Sequence, residues 1–161
     1  MTTRPEAGDA MLDVMMETPD GGTVKPSDFR GRKLVMFFYP KDDTPGCTTE
    51  NKDFTALKHE FAAADTALLG VSKDPPAKHQ KFIAKHDLAV PLASDTPAES
   101  DEDGIAEALG IWVEKNMYGK KYMGMERTTY LVAADGKIKQ VWRKVKVKGH
   151  ADEVLAAAKA L

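Results

Sequence analysis

The run Leu34-Val35-Met36-Phe37-Phe38-Tyr39 is apolar without interruption and ends at Pro40. An apolar stretch that does not alternate predicts a strand covered on both faces, as in a parallel sheet. Ala67-Leu68-Leu69-Gly70-Val71-Ser72 predicts a second strand of that kind. Between them, Phe54, Leu57, Lys58 and Phe61 fall at i, i+3, i+4 and i+7. Three of the four are apolar, which predicts a helix of roughly four turns. Pro75 and Pro76 suit the start of another helix, with Phe82 and Ile83 on its apolar side. Val90 to Ala93 predicts a short strand, and Ile105, Ala108 and Leu109 a short helix.

The two ends of the chain follow the same logic. Residues 1–10 read as a flexible lead-in. Met11 to Met16 predicts a short strand with Pro19-Asp20-Gly21-Gly22 as its turn, and Ser27 to Gly31 a second turn. Thr128 to Ala133, Asp135-Gly136 and Lys137 to Val147 predict a hairpin with a two-residue turn. Val154, Leu155, Ala158 and Leu161 form one stripe of a closing helix. Strands alternating with helices predict an α/β layered domain, and the late hairpin makes its sheet mixed. With 161 residues and no visible linker or repeat, residues 1–161 are expected to form a single domain.

Composition narrows the chemistry. The net charge of −2 gives no general attraction to nucleic acid or acidic membranes. No stretch approaches the ~18 apolar residues of a membrane span. The N-terminal residues, with Arg4, Glu6 and Asp9, do not resemble a signal peptide, so a cytoplasmic location is expected. Cys47 is the one cysteine. An internal disulfide and a multi-thiolate metal site are thereby excluded, and a reducing compartment fits.

Cys47 lies where a buried strand ends, a polar loop (Lys41 to Gly46) turns and a helix begins. Sites in open α/β sheets gather at such carboxyl ends of strands. A thiol in the first turn of a helix faces free backbone N–H groups and the positive end of the dipole, which favour the thiolate. A thiol with a pKa of ~8.5 is about 3% ionised at pH 7, whereas one at ~6 is about 90% ionised. Pro40 and Pro45 stiffen the loop. Thr44 is placed to cap the helix or to donate to a bound oxygen, and Glu50 to complete a capping box or orient a cation.

Tyr39-Pro40-Lys41-Asp42-Asp43-Thr44-Pro45-Gly46-Cys47-Thr48 resembles the active-site loop of the peroxiredoxins, closest to the peroxiredoxin Q group, also called bacterioferritin comigratory proteins. The pattern Pro, three residues, Thr, two residues, Cys is complete. A second block is similar to the same group: Trp112-Val113-Glu114-Lys115, Tyr118-Gly119-Lys120-Lys121-Tyr122-Met123-Gly124, then Arg127-Thr128-Thr129, with Asp135-Gly136-Lys137 beyond. The resemblance spans roughly residues 10–158.

It implies a thioredoxin-like fold and thiol-dependent reduction of hydrogen peroxide and organic hydroperoxides. It implies Cys47 as the nucleophile, oxidised to a sulfenic acid. Thr44 would bond the peroxide, Pro40 would shield the thiolate, and Arg127 would polarise the peroxide and hold Cys47 ionised. Gly46, Glu50 and Trp112 would shape or orient the pocket, Trp112 otherwise reading as core. No cofactor is implied.

One departure stands out. Many members carry a second cysteine five residues after the first, where this chain has Lys52. Recycling would therefore need an external thiol, such as thioredoxin, glutaredoxin or a small thiol. The resemblance leans towards a monomer. Two other readings remain: a thioredoxin-fold thiol transferase, and a non-catalytic binding or chaperone-like protein with an inert Cys47.

Other signals carry less. His59, His79, His86 and His150 are scattered and suggest no metal site. The acidic residues Asp95, Glu99, Asp101, Glu102 and Asp103 read as a solvated loop. Arg143, Lys144, Lys146 and Lys148 read as a charged edge strand. Met117, Met123 and Met125 read as filling core gaps, with an apolar collar near Arg127 as the other reading.

Overall fold

A computed structural model of the chain describes residues 4–95 and 104–161. The apolar run becomes β3 (Lys33–Phe38), and the second run becomes β4 (Thr66–Ser72). They pair in parallel, and β4 pairs in parallel with β5 (Leu92–Ser94). On its other edge β3 pairs antiparallel with β8 (Thr128–Val132), which pairs antiparallel with β9 (Ile138–Trp142). The ladder β1 (Met16–Glu17) and β2 (Thr23–Val24) closes the far side, giving the order β2-β1-β5-β4-β3-β8-β9. This is the mixed sheet expected from the alternation of elements.

Period-2 geometry explains why β3 is apolar throughout. Leu34, Met36 and Phe38 enter the cluster on one face with Leu69, Val71, Tyr130 and α4 (Ile105–Leu109). Val35, Phe37 and Tyr39 enter the cluster on the other. That second cluster also takes Phe54 of α1 (Pro45–Ala56), Phe61 of α2 (Lys58–Ala63), Phe82 of α3 (Pro76–His86) and Val154 of α5 (His150–Ala160). Cys47 is a member of it, so the start of α1 is pinned to the carboxyl end of β3.

Several elements differ from the sequence reading. The single four-turn helix is two helices, α1 and α2, divided at Leu57, whose N–H bonds back to Asp53 and Phe54 carbonyls. Only Met16–Glu17 of the stretch from Met11 forms ladder pairs. Residues 4–10 lie against β9, with Gly8 N–H donating to Ile138 O and Ile138 N–H to Asp9 O. The β8–β9 hairpin turns through Ala134, Asp135 and Gly136 rather than two residues. Gly136 N–H bonds Ala133 O and Gly136 takes a φ of 88°. β9 stops at Trp142. Lys144 adopts a φ of 49° and Val145 N–H turns to Arg127 O, so Arg143 to Lys148 are not an edge strand.

The largest difference is a hairpin of its own, β6 (Trp112–Met117) and β7 (Lys120–Met125), outside the main sheet. It leaves Met117 and Met123 more than half exposed, and only Met125 joins the core. Of the acidic stretch, residues 96–103 fall outside the described residues. Asp95 is buried, and its carboxylate accepts the Ile105 and Ala106 N–H groups, 2.9 and 3.0 Å away. Leu161, placed on the stripe of α5, is exposed at the end of the chain, whereas Val154, Leu155 and Ala158 are buried.

Candidate active site

The loop after β3 is held at both ends. Tyr39 N–H bonds Val71 O, extending the β3–β4 ladder one residue beyond the strand. Asp43 takes a φ of 62°, and Thr44 then returns to an extended backbone at the N-cap position of α1. Pro45 occupies the first helical position, where its missing N–H costs nothing. Cys47 therefore stands in the first turn, where backbone N–H groups lack helical partners and the dipole is positive. It is 1% exposed.

Thr44 does not cap the helix through its side chain. Its hydroxyl donates to Lys41 O at 2.9 Å, tightening the loop instead. Glu50 forms no capping box. Of the two roles expected for it, orienting a cation is the one observed.

That cation is Arg127, in the connection from β7 to β8 and far from Cys47 in sequence. One guanidinium nitrogen (Nη2) donates to Cys47 Sγ at 3.3 Å, and the other (Nη1) donates to Glu50 Oε1 at 2.6 Å. The planar fork thus joins a sulfur and a buried carboxylate at once. Burial works against the charge of Arg127, but Glu50 and Cys47 outweigh it and raise its pKa. Burial pushes Glu50 up to about 7. Arg127 opposes that rise through charge and hydrogen bond, and Asp53 adds to it. Gly46 allows the close approach, since a Cβ there would stand 3.2 Å from Arg127 Nη2.

Cys47, Gly46, Glu50 and Arg127 are thus brought together. Pro40 and Thr44 lie on the same loop, both partly buried. Trp112 does not line this site. It packs against the cluster on the opposite face of the sheet, with Lys73 Nζ 5.2 Å from its ring centroid. For Trp112 the core alternative is the one realised.

Two buried histidines complete the surroundings. His79 Nδ1 lies 2.6 Å from Asp42 Oδ2 and its Nε2 lies 3.0 Å from Ala93 O. Tyr39 Oη donates to Asp42 Oδ1 at 2.7 Å. This network ties the Cys47 loop to α3. The sequence pattern gave no sign of it. His150, at the start of α5, lies 2.8 Å from Thr129 Oγ1 and edge-on to Phe54 and Trp142. Among the described residues no group of three or more His, Cys, Asp or Glu is placed to hold a metal. None of their helices is long and apolar enough to cross a membrane.

Burial, and then the charge of Arg127, lower the His150 pKa from 6.5 to about 4. The unfolded chain therefore takes up this proton first as pH falls. The stability that neutral His150 supplies is complete above about pH 6.5 and is lost towards about pH 4. Against a His150→Gln variant, the native protein should lose up to about 3 kcal/mol over that interval. Glu50 titrates in the opposite sense but equally in both proteins, so it cancels. Urea unfolding of the pair across pH 4–7 reads the difference directly, and parallel stability curves would contradict it.

A family model described as AhpC/TSA matches residues 7–141. The chain belongs to the AhpC/TSA family. Among relatives in this family, peroxiredoxin Bcp of Xanthomonas campestris is 46% identical over 151 residues, covering 94% of this chain and 91% of the relative. Peroxiredoxin Bcp of Bacillus subtilis is 45% identical over 154 residues, covering 96% and 95%. A solved structure of the Xanthomonas campestris bacterioferritin comigratory protein, described for its alkyl peroxide reduction activity, superposes with a TM-score of 0.82. It is 45% identical and covers 94% of this chain and 98% of its own. PrxQ of Xylella fastidiosa superposes with a TM-score of 0.88 at 36% identity, covering 98% of each chain. The thioredoxin-like peroxiredoxin fold is established, and with it a thiol-dependent peroxidase. Two Xanthomonas structures carry serine for cysteine at two different positions, whereas this chain has Cys47 alone.

Proposed function

We propose that Cys47 is the peroxidatic nucleophile of a one-cysteine peroxidase whose sulfenic acid is recycled by an external thiol. The Arg127 guanidinium shared between Cys47 Sγ and Glu50 carries this reading. A fixed cation at the sulfur favours the thiolate and stands ready for charge that develops on peroxide oxygen. Sγ attacks one oxygen of the hydroperoxide, the O–O bond breaks, and the other oxygen leaves with the electron pair. The products are Cys47 sulfenic acid and water or an alcohol. Thr44 bonds the peroxide and Pro40 shields the sulfur from water.

Hydrogen peroxide and alkyl hydroperoxides are the substrates in this account, the latter in keeping with the activity described for the Xanthomonas relative. Cys47, Glu50 and Arg127 reach one another within one chain, so the site needs no second copy to assemble, and a monomer is the working unit in this account. A reducing cytoplasm supplies the thiol.

With one cysteine, the sulfenic acid has no internal partner. Peroxide-treated protein given glutathione should carry one mixed disulfide, at Cys47, by mass spectrometry. Sustained turnover should then require added thiol, alone or with thioredoxin or glutaredoxin. Sustained peroxide consumption with no thiol present would contradict the recycling scheme.

A further inference from the structure

Two consecutive acids, Asp42 and Asp43, stand between Pro40 and Thr44 in the loop that leads to Cys47. Each is gripped separately, and α3 takes part in both grips. Asp42 is buried. Its Oδ1 accepts from Tyr39 Oη at 2.7 Å, and its Oδ2 lies 2.6 Å from His79 Nδ1. Its backbone N–H donates to Asp74 Oδ2 at 2.7 Å, and the same oxygen accepts from Ser72 Oγ at the end of β4. His79 Nε2 lies 3.0 Å from Ala93 O of β5, so the histidine joins the loop to the sheet. Asp43 is exposed, and its carboxylate takes Lys85 Nζ at 2.7 Å and His86 Nε2 at 2.8 Å. His79 and His86 are seven residues apart, which puts them on one side of α3. The two histidines left aside by the search for a metal site thus hold two neighbouring acids.

Stability is a weak reason for the buried part of this network. A well-packed apolar pair is commonly as stable as a buried ionic one, whereas a satisfied polar network holds one arrangement. What it holds here is the approach to the sulfur. Asp43 takes a φ of 62°, an uncommon backbone that persists where its surroundings fix it. Thr44, Pro45 and Gly46 are all that separate it from Cys47. Thr44 Oγ1 bonds back to Lys41 O, inside the gripped segment. Arg127 arrives from the β7–β8 connection, so its 3.3 Å contact with Cys47 Sγ joins two segments that are held separately. We propose that Asp42 and His79 are positioning residues of the peroxidase site, which act through the loop to hold Thr44 and Cys47 Sγ in line for the peroxide. Tyr39 supports the pair. Burial, and then the charge of Asp42, keep its hydroxyl well above its ordinary pKa, so it stays a donor to that carboxylate. The inference rests on Cys47 being the nucleophile.

The test compares two reactions of the same sulfur. Hydrogen peroxide must be aligned with Sγ and its donors, whereas alkylation by iodoacetamide needs the thiolate and none of that alignment. His79→Gln and Asp42→Asn should each slow stopped-flow oxidation by ~10²-fold, the scale of a misplacement near 1 Å. Alkylation at the same pH should be little changed. Tyr39→Phe keeps the ring stacked on Phe37 and removes one bond to Asp42. It should lower the same ratio by less, and it decides the matter should the other two variants not fold. Combined with His79→Gln it should cost less than the product of the two single losses, since both act through Asp42. A purely structural network would lower the melting temperature and leave the ratio of the two rates unchanged. An unchanged ratio in the folded variants, whether neither reaction is slowed or both are slowed equally, would overturn the proposal. A native Cys47 that is alkylated readily but meets peroxide no faster than a free thiol would instead overturn the assignment of the nucleophile.

Discussion

Arg127→Ala is expected to slow the reaction of Cys47 with peroxide by ~10²–10³-fold, the typical loss when one preorganised donor is removed. The geometry behind this is the bifurcated guanidinium, 3.3 Å from Cys47 Sγ and 2.6 Å from Glu50 Oε1. The same substitution strands Glu50, which is buried and already pushed up to about 7. Breaking a buried pair on one side costs ~3–5 kcal/mol, so a destabilised protein could mimic a catalytic loss. The double variant Arg127→Ala, Glu50→Gln separates the two effects. It should recover most of the stability, read by urea unfolding, and none of the rate, read by stopped flow. Recovery of rate along with stability would mean that Arg127 serves the fold and not the chemistry.

Cys47→Ser is expected to abolish peroxidase turnover and leave the fold intact. Serine is close to cysteine in size, and its hydroxyl can still accept from Arg127. It therefore keeps the packing among Val35, Phe37, Tyr39 and Phe54. What it removes is the sulfur nucleophile, since a hydroxyl is weak without an adjacent base. Thermal unfolding and thiol-coupled peroxide consumption, measured on the same preparation, check both halves. Residual turnover well above the uncatalysed rate would contradict the assignment of Cys47. A collapsed melting transition would show that the sulfur has a packing role that serine does not meet.

The layered fold was legible because its central strands must be apolar on both faces. Leu34 to Tyr39 and Ala67 to Val71 are such runs, short and bounded by turn residues. The peripheral elements were less so, each for a physical reason. β6 and β7 are mostly exposed, so Glu114, Lys115, Lys120 and Lys121 show no apolar alternation. The one available signal was Tyr118-Gly119, a two-residue turn with both φ values positive. Past Trp142, the alternation of Lys144, Val145, Lys146 and Val147 imitates a strand, but Val145 bonds Arg127 O and the chain turns into α5.

Within the site, Cys47 and the loop before it could be read from local spacing, because strand, turn and helix start are consecutive. Arg127 could not be placed by spacing, since β4, β5 and the hairpin intervene. It came from resemblance, and the structure then supplied the distance. Glu50 was legible as an acid near the start of the helix, but it stands beyond the first turn of α1, and its burial against Arg127 was not legible. The His79–Asp42 pair was invisible, since its members meet only when α3 packs on the loop.

The most direct test is stopped-flow reaction of the fully reduced protein with one equivalent of hydrogen peroxide, with trapping of sulfenic acid and mass spectrometry of the product. Rapid, stoichiometric conversion of Cys47 to the sulfenic acid is the result this account predicts. Oxidation no faster than that of a free thiol, with tert-butyl hydroperoxide as well as hydrogen peroxide, would contradict it.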